Sequence, residues 1–223
     1  MRLVLVHSSG LGPRQWSRLR RLLPEPPVVP ALTGYGDVPC SEAPHFEHDL
    51  AVLEAQVRPG DFVFGHSYGG FLALQLALRV PLGGLLVHEP VCVAVLPGLA
   101  VADEAFFQLP QGGTEAWVGR LVEWWNGPGA WEALPASAKA PFLEHATKVH
   151  AEVASNGRDR TPASAYAAIT APTVVTAGAN SRPEGQQMGA VVAEAMGARF
   201  ERLGDADHMT PVTDPARFLP FLP

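Results

Sequence analysis

An apolar run that stops at a glycine and turns at once into a helical pattern constrains this chain more than any other feature. The stretch is Asp61-Phe62-Val63-Phe64-Gly65-His66-Ser67-Tyr68-Gly69-Gly70-Phe71, continuing through Leu72-Ala73-Leu74-Gln75-Leu76-Ala77-Leu78. Phe62 to Phe64 has the character of a buried strand, and the helical pattern opens at Tyr68. Between them lies Gly65-x-Ser67-x-Gly69. On a strand–turn–helix this spacing makes a nucleophile elbow. The serine sits at a sharp, strained turn with its hydroxyl pushed outward. Side chains at positions 65 and 69 would collide where strand and helix cross. The helix start also leaves backbone N–H groups and a positive dipole end facing the serine oxygen. That suits a reaction passing through an oxyanion.

The rest of the chain fits around a single domain. It has 223 residues, 47% of them hydrophobic, enough for a sizeable core. The formal charge is −6. With no basic cluster, that argues against a nucleic-acid partner. Cys40 and Cys92 show no metal spacing and read as thiols of a reducing compartment. The apolar N-terminal run is too short for a signal peptide, and no run approaches the length of a membrane span. The expectation is a cytoplasmic protein without a membrane partner. A homodimer is left open.

Along the chain, strands and helices alternate. Leu3–Val6 is all apolar, as in a strand buried on both faces. A loop follows from His7 to Pro13, then a helical pattern from Arg14 to Leu23. Pro27–Leu32 reads as a second short strand, Phe46–Val57 as a helix, Phe62–Phe64 as the third strand and Gly84–His88 as the fourth. From Pro90 to Thr170 the rhythm breaks. Trp117, Trp124, Trp125 and Trp131 all lie in this stretch, with helix-like pieces around 114–125 and 138–154. Residues 155–162 look like its exit linker. Thr173–Thr176 resumes the strands, Glu184–Met196 is a helix, Phe200–Leu203 the last strand and Asp214–Leu222 a terminal helix. The pattern predicts an α/β fold, a mostly parallel sheet of about six strands with helices on both faces. Residues 1–89 and 171–223 form its core, and 90–170 a helical lid on the same domain.

Four stretches together resemble the α/β-hydrolase superfamily over nearly the whole length. Val6-His7-Ser8-Ser9-Gly10 with Trp16 resembles the loop after the family's third strand. Leu32-Thr33-Gly34-Tyr35-Gly36 resembles the Gly-x-Gly loop after the next strand. Gly65-His66-Ser67-Tyr68-Gly69-Gly70 resembles the commonest form of the elbow. Gly204-Asp205-Ala206-Asp207-His208 resembles the late loop that carries the catalytic histidine. The resemblance implies Ser67 as nucleophile and His208 as general base. It implies oxyanion donors at the backbone N–H groups of Tyr68 and Ser9. A serine needs such a base within hydrogen-bond reach, which agrees with the second assignment.

The chain departs from the family in two ways. It opens at what the family counts as its third strand. It also lacks the usual acid, because Ser181 occupies the carboxylate position in Ala177-Gly178-Ala179-Asn180-Ser181. Glu89, directly after the Gly84–His88 strand, is the expected replacement. Gly84-Leu85-Leu86-Val87-His88-Glu89 resembles the Gly-x-x-x-x-Glu stretch of family members that keep their acid there. Asp207 competes for the role, with Asp205 and Glu184 behind it.

The resulting expectation is an esterase-type serine hydrolase acting on a small apolar substrate, with no cofactor and no metal. Histidine spacing offers no metal-binding motif. Alternatives on the same fold are a carbon–carbon bond hydrolase, a thioesterase or a lactonase, since bond choice lives in the pocket. A non-catalytic ligand-binding protein of this fold is the alternative from another class.

Overall fold

Apolar side chains on both faces build the sheet. In β1 (Leu3–Val6), β2 (Phe62–His66) and β3 (Gly84–His88), successive side chains point to opposite faces. Val4, Val6, Val63, Leu85 and Val87 join one core cluster. Leu5, Phe62, Phe64 and Leu86 join another on the opposite face. With β4 (Thr173–Gly178) and β5 (Arg199–Leu203) they form a five-stranded sheet in the order β1-β2-β3-β4-β5, with every pairing parallel. The computed structural model describes residues 1–40, 45–96, 98 and 104–223.

The helices Phe46–Gln56, Tyr68–Ala77 and Pro183–Met196 cover the first face. Short helical turns carrying Trp16, Leu19 and Phe218 cover the second. The sheet therefore has five strands, where the sequence suggests about six. Pro27–Leu32 forms no strand. Val28 makes an isolated bridge to Val4. Its N–H donates to Leu3 C=O and its C=O accepts from Leu5 N–H, both at 2.9 Å. The next residues whose N–H would face β1 are Pro26 and Pro30, which have none, so the ladder gains no donor on either side.

The segment between β3 and β4 is helical and has its own apolar cluster. Trp117, Val118, Leu121 and Val122 of the helix Gly113–Asn126 pack on Ala146 and Val149 of the helix Ala146–Gly157. Trp117 is fully buried, and its indole N–H donates to Phe106 C=O at 2.7 Å. The helix expected over 138–154 is two helices, Ala136–Glu144 and Ala146–Gly157, broken at His145. Ser155 to Gly157 close the second helix instead of starting a linker. There the Ser155 hydroxyl accepts from Phe46 N–H at 2.9 Å, so a tertiary bond holds residues whose composition suggests a loop. Among the described residues, no helix is long and apolar enough to cross a membrane.

Candidate active site

Ser67 stands at the turn between β2 and the helix Tyr68–Ala77, with φ 56° and ψ −118°. A non-glycine residue at positive φ stores strain and persists only where its surroundings over-determine it. They do so here. Ser67 N–H donates to His88 C=O at 2.9 Å, and Ser67 C=O accepts from Phe71 N–H at 3.0 Å. The two motif glycines are needed for close approach. A side chain at Gly65 would run into Gly69 C=O, and one at Gly69 into the carbonyls of Val6 and His7.

Three side chains form a continuous hydrogen-bonded line. His208 Nε2 lies 3.1 Å from Ser67 Oγ, and His208 Nδ1 lies 2.7 Å from Glu89 Oε2. With Nδ1–H donating to the carboxylate, Nε2 is left to accept from the serine hydroxyl. Glu89 is fully buried and directly follows β3. Its other oxygen accepts from Gly178 N–H at 2.8 Å and from the Ser181 hydroxyl. Ser181, at the family's usual acid position, thus supports the carboxylate that faces the histidine. Burial pushes the Glu89 carboxyl up. The hydrogen bond from His208 outweighs it, with attraction to the His208 and His88 rings in their protonated forms and the Ser181 hydrogen bond adding to it, and the pKa is held at about 2. Asp207 takes another path, its carboxylate accepting from Met209 N–H at 2.9 Å.

The backbone on either side of His208 is fixed by buried neutral imidazoles. His66 Nε2 donates to His208 C=O at 2.7 Å, and His88 Nε2 donates to Asp207 C=O at 3.0 Å. Burial lowers the pKa of both; repulsion from His208 and His88 adds to it at His66, while at His88 the Glu89 carboxylate opposes it without reversing it. Gln15 closes the circuit, its amide N–H donating to His66 Nδ1 at 3.0 Å. Its carbonyl accepts from Ser8 N–H at 2.8 Å. Above the His208 ring lies Trp125, stacked at a 4.1 Å centroid distance and 11° between planes.

Ser9 and Tyr68 line, together with Ser67, a cavity that opens to solvent. Neither backbone N–H donates to an acceptor among the described residues, so both are free to face a ligand oxygen. Both neighbourhoods are held from behind. Gly10 N–H donates to the Tyr35 hydroxyl at 2.8 Å, and that hydroxyl donates to Glu152 at 3.0 Å. The Tyr68 hydroxyl donates to Asp49 at 2.7 Å. Lys148 Nζ then joins Asp49 at 2.9 Å and lies 3.4 Å from Glu152 Oε1. Asp49, Lys148 and Glu152 are all buried. Burial alone would lower the Lys148 pKa, but the two carboxylates outweigh it and raise it. One lysine cannot neutralise both acids, and burial pushes Glu152 up to about 7.

Sequence reasoning passes over Gln15 and the Asp49–Lys148–Glu152 cluster, and it places Trp125 in the aromatic lid without its stacking on His208. For the cluster a signal exists. Charged residues fall on the apolar face of two amphipathic patterns, which is where buried pairs occur.

The sequence profile of the Alpha/beta hydrolase family matches residues 3–221. The chain belongs to that family. Among curated proteins it is 42% identical over 81 residues to the pimeloyl-[acyl-carrier protein] methyl ester esterase of Aromatoleum aromaticum, covering 35% of this chain and 32% of that one. It is 32% identical over 91 residues to the 2-hydroxymuconate semialdehyde hydrolase of Pseudomonas sp., with the same coverages. The chain thus spans about a third of the length of the curated relatives it matches. Among solved structures, MenH from S. aureus superposes with a TM-score of 0.75 at 18% identity, covering 97% of this chain and 89% of that one. An esterase from Thermogutta terrifontis superposes at 0.64 and 24% identity, covering 97% and 86%. These likenesses establish the fold.

Proposed function

We propose that the chain is a serine hydrolase that cleaves esters of small, largely apolar substrates through an acyl-enzyme on Ser67. The observation that carries this reading is the unbroken line from Ser67 Oγ through His208 to Glu89 at 3.1 and 2.7 Å. Ser67 Oγ attacks the ester carbonyl carbon while His208 Nε2 takes its proton. Glu89 keeps the ring in the required tautomer and stabilises the imidazolium. The N–H groups of Ser9 and Tyr68 receive the oxyanion. When the tetrahedral species collapses, His208 returns the proton to the leaving alkoxide. Water then attacks the acyl carbon, its proton passes to His208, and Ser67 leaves with that proton. The apolar lining by Val91, Leu121, Val122, Phe142 and Val153 supports an apolar substrate body.

A fluorophosphonate probe should label Ser67 alone, as read by peptide mass spectrometry. Ser67→Ala should abolish turnover of p-nitrophenyl esters and leave the unfolding midpoint nearly unchanged. A folded protein that takes up no label would sink this reading in favour of a binding protein. A carbon–carbon bond hydrolase is the second reading, favoured by the 32% identity to 2-hydroxymuconate semialdehyde hydrolase. Turnover of a vinylogous diketone but not of simple esters would select it.

A further inference from the structure

Two asparagines line the cavity around Ser67 and His208, and they differ in one respect. Asn126 is satisfied by its own helix, with Nδ2 donating to Val122 C=O at 2.9 Å. Asn156 is not. Its Nδ2 and Oδ1 are both buried with no hydrogen-bond partner among the described residues. The whole residue is only 2% exposed. The carbonyl one turn back is available to it, as it is to Asn126, yet it is not used. A buried amide left unpaired costs free energy that an apolar residue of the same shape would not. Asparagine is also a weak helix former, so local structure does not account for it. Val153, one turn earlier on the same helix, lines the cavity and is apolar. Asn156 therefore places one donor and one acceptor beside the apolar Val153, in a cavity where the Ser9 hydroxyl is also buried without a partner among the described residues.

We propose that Asn156 is a specificity-determining residue whose amide receives a neutral donor–acceptor group, a carboxamide, on the part of the substrate remote from the cleaved ester. A carboxamide matches both atoms at once. Its oxygen accepts from Nδ2–H and its N–H donates to Oδ1. An ammonium would leave Nδ2 unpaired. A carboxylate would leave Oδ1 unpaired and enter a region where Asp49 and Glu152 already face a single Lys148. Which bond is cleaved rests on the serine-hydrolase reading. The binding preference does not.

The test is a matched series. Methyl esters with two to five methylenes and a terminal carboxamide are compared with esters ending in the isosteric isopropyl group and with the corresponding monomethyl dicarboxylates. A second series carries the same end groups on the alcohol side of an acetate ester. In one series and at one chain length, the wild type should prefer the amide over the isopropyl ester by about tenfold or more in kcat/KM, mainly through KM. Asn156→Leu should abolish that preference and leave kcat for the isopropyl ester within about threefold. Asn156→Asp should lose it too, which serves if the leucine variant does not fold. Calorimetry on Ser67→Ala protein reads amide over isopropyl binding without turnover. Hydrolysis of isopropyl esters with no amide preference anywhere overturns the proposal and leaves the hydrolase reading standing. So does a preference that survives in Asn156→Leu. Amide-selective binding, lost in Asn156→Leu, in a protein that turns over nothing sinks the hydrolase reading and keeps this one.

Discussion

At Glu89 a charge and a strained backbone meet in one residue. Its φ is 46°, a conformation that side chains rarely adopt, at a cost of about 1–3 kcal/mol. The backbone bond from Glu89 N–H to Thr176 C=O at 2.9 Å holds it there. Glu89→Gln should keep the fold and lower kcat by orders of magnitude, about 10⁴-fold if the residue acts as other triad acids do. Near-full activity in this variant, with loss in Asp207→Asn, would falsify the assignment. The same carboxyl sets a stability window. Its folded pKa of about 2 lies below the ordinary 4.5. The contribution is therefore present above pH 4.5 and is lost as the pH falls through 2, on the order of 3 kcal/mol in all. Urea denaturation between pH 5 and 2 should show that loss in the wild type and a shallower slope in Glu89→Gln. The place of Glu89 is legible in the sequence, because it follows a strand that pairs His88 with His66 beside the elbow. The orphaned amide of Asn156 is not. A helical pattern reports which face a residue occupies and nothing about its partners.

Among the elements, the helix Ala146–Gly157 is where the sequence is least informative. Its sequence mixes apolar and polar residues, and its tail looks like a linker. What fixes it is long-range. Lys148 meets Asp49 across 99 residues, and the Ser155 hydroxyl meets Phe46 N–H across 109. No periodicity encodes such pairings. The helix thereby buries an ion cluster behind Tyr35 and Tyr68, whose hydroxyls donate to Glu152 and Asp49. Lys148→Met should remove the cation that meets two buried carboxylates and cost about 3–5 kcal/mol in chemical denaturation. A loss below about 1 kcal/mol would mean the cluster is hydrated. Glu152 has the opposite sign to Glu89. Its folded pKa is raised from 4.5 to about 7. Its contribution is complete below pH 4.5 and is lost as the pH rises through 7, since the folded state holds the proton more tightly. Stability should therefore decline from pH 4.5 to 7, and Glu152→Gln should flatten that decline. An equally steep decline in the variant would place the titration elsewhere.

Across the whole molecule, the carboxyl ends of all five strands converge on one place. Ser8 and Ser9 follow β1, Ser67 follows β2, Glu89 follows β3, Ser181 follows β4 and His208 follows β5. Parallel α/β sheets collect their sites at that edge, and so strand-by-strand reading recovers most of this one. It does not recover how the helical segment closes over the edge. That segment is pinned on two sides. On one side Lys148 and Ser155 tie it to the helix Phe46–Gln56 and the strand of loop before it. On the other, Arg182 Nη1 donates to Trp124 C=O at 2.6 Å, and its guanidinium lies 4.5 Å from the Trp124 ring centre. Trp124 packs against Trp125, which stacks on His208. The Arg182 side is half exposed and carries no buried ion cluster, so it is the weaker hinge. Arg182→Ala should cost only about 1–2 kcal/mol of stability, since the ion pair to Glu184 at 3.1 Å is partly exposed and adds little to the hydrogen bond to Trp124 C=O and the cation–π contact. It should also let the Trp124–Trp125 corner swing outward. Long-chain p-nitrophenyl esters should then gain severalfold in kcat/KM through a lower KM, with p-nitrophenyl acetate little changed. Equal losses for short and long esters would instead mean that Arg182 holds the Trp125–His208 stack in register for the chemistry, and that access is set elsewhere.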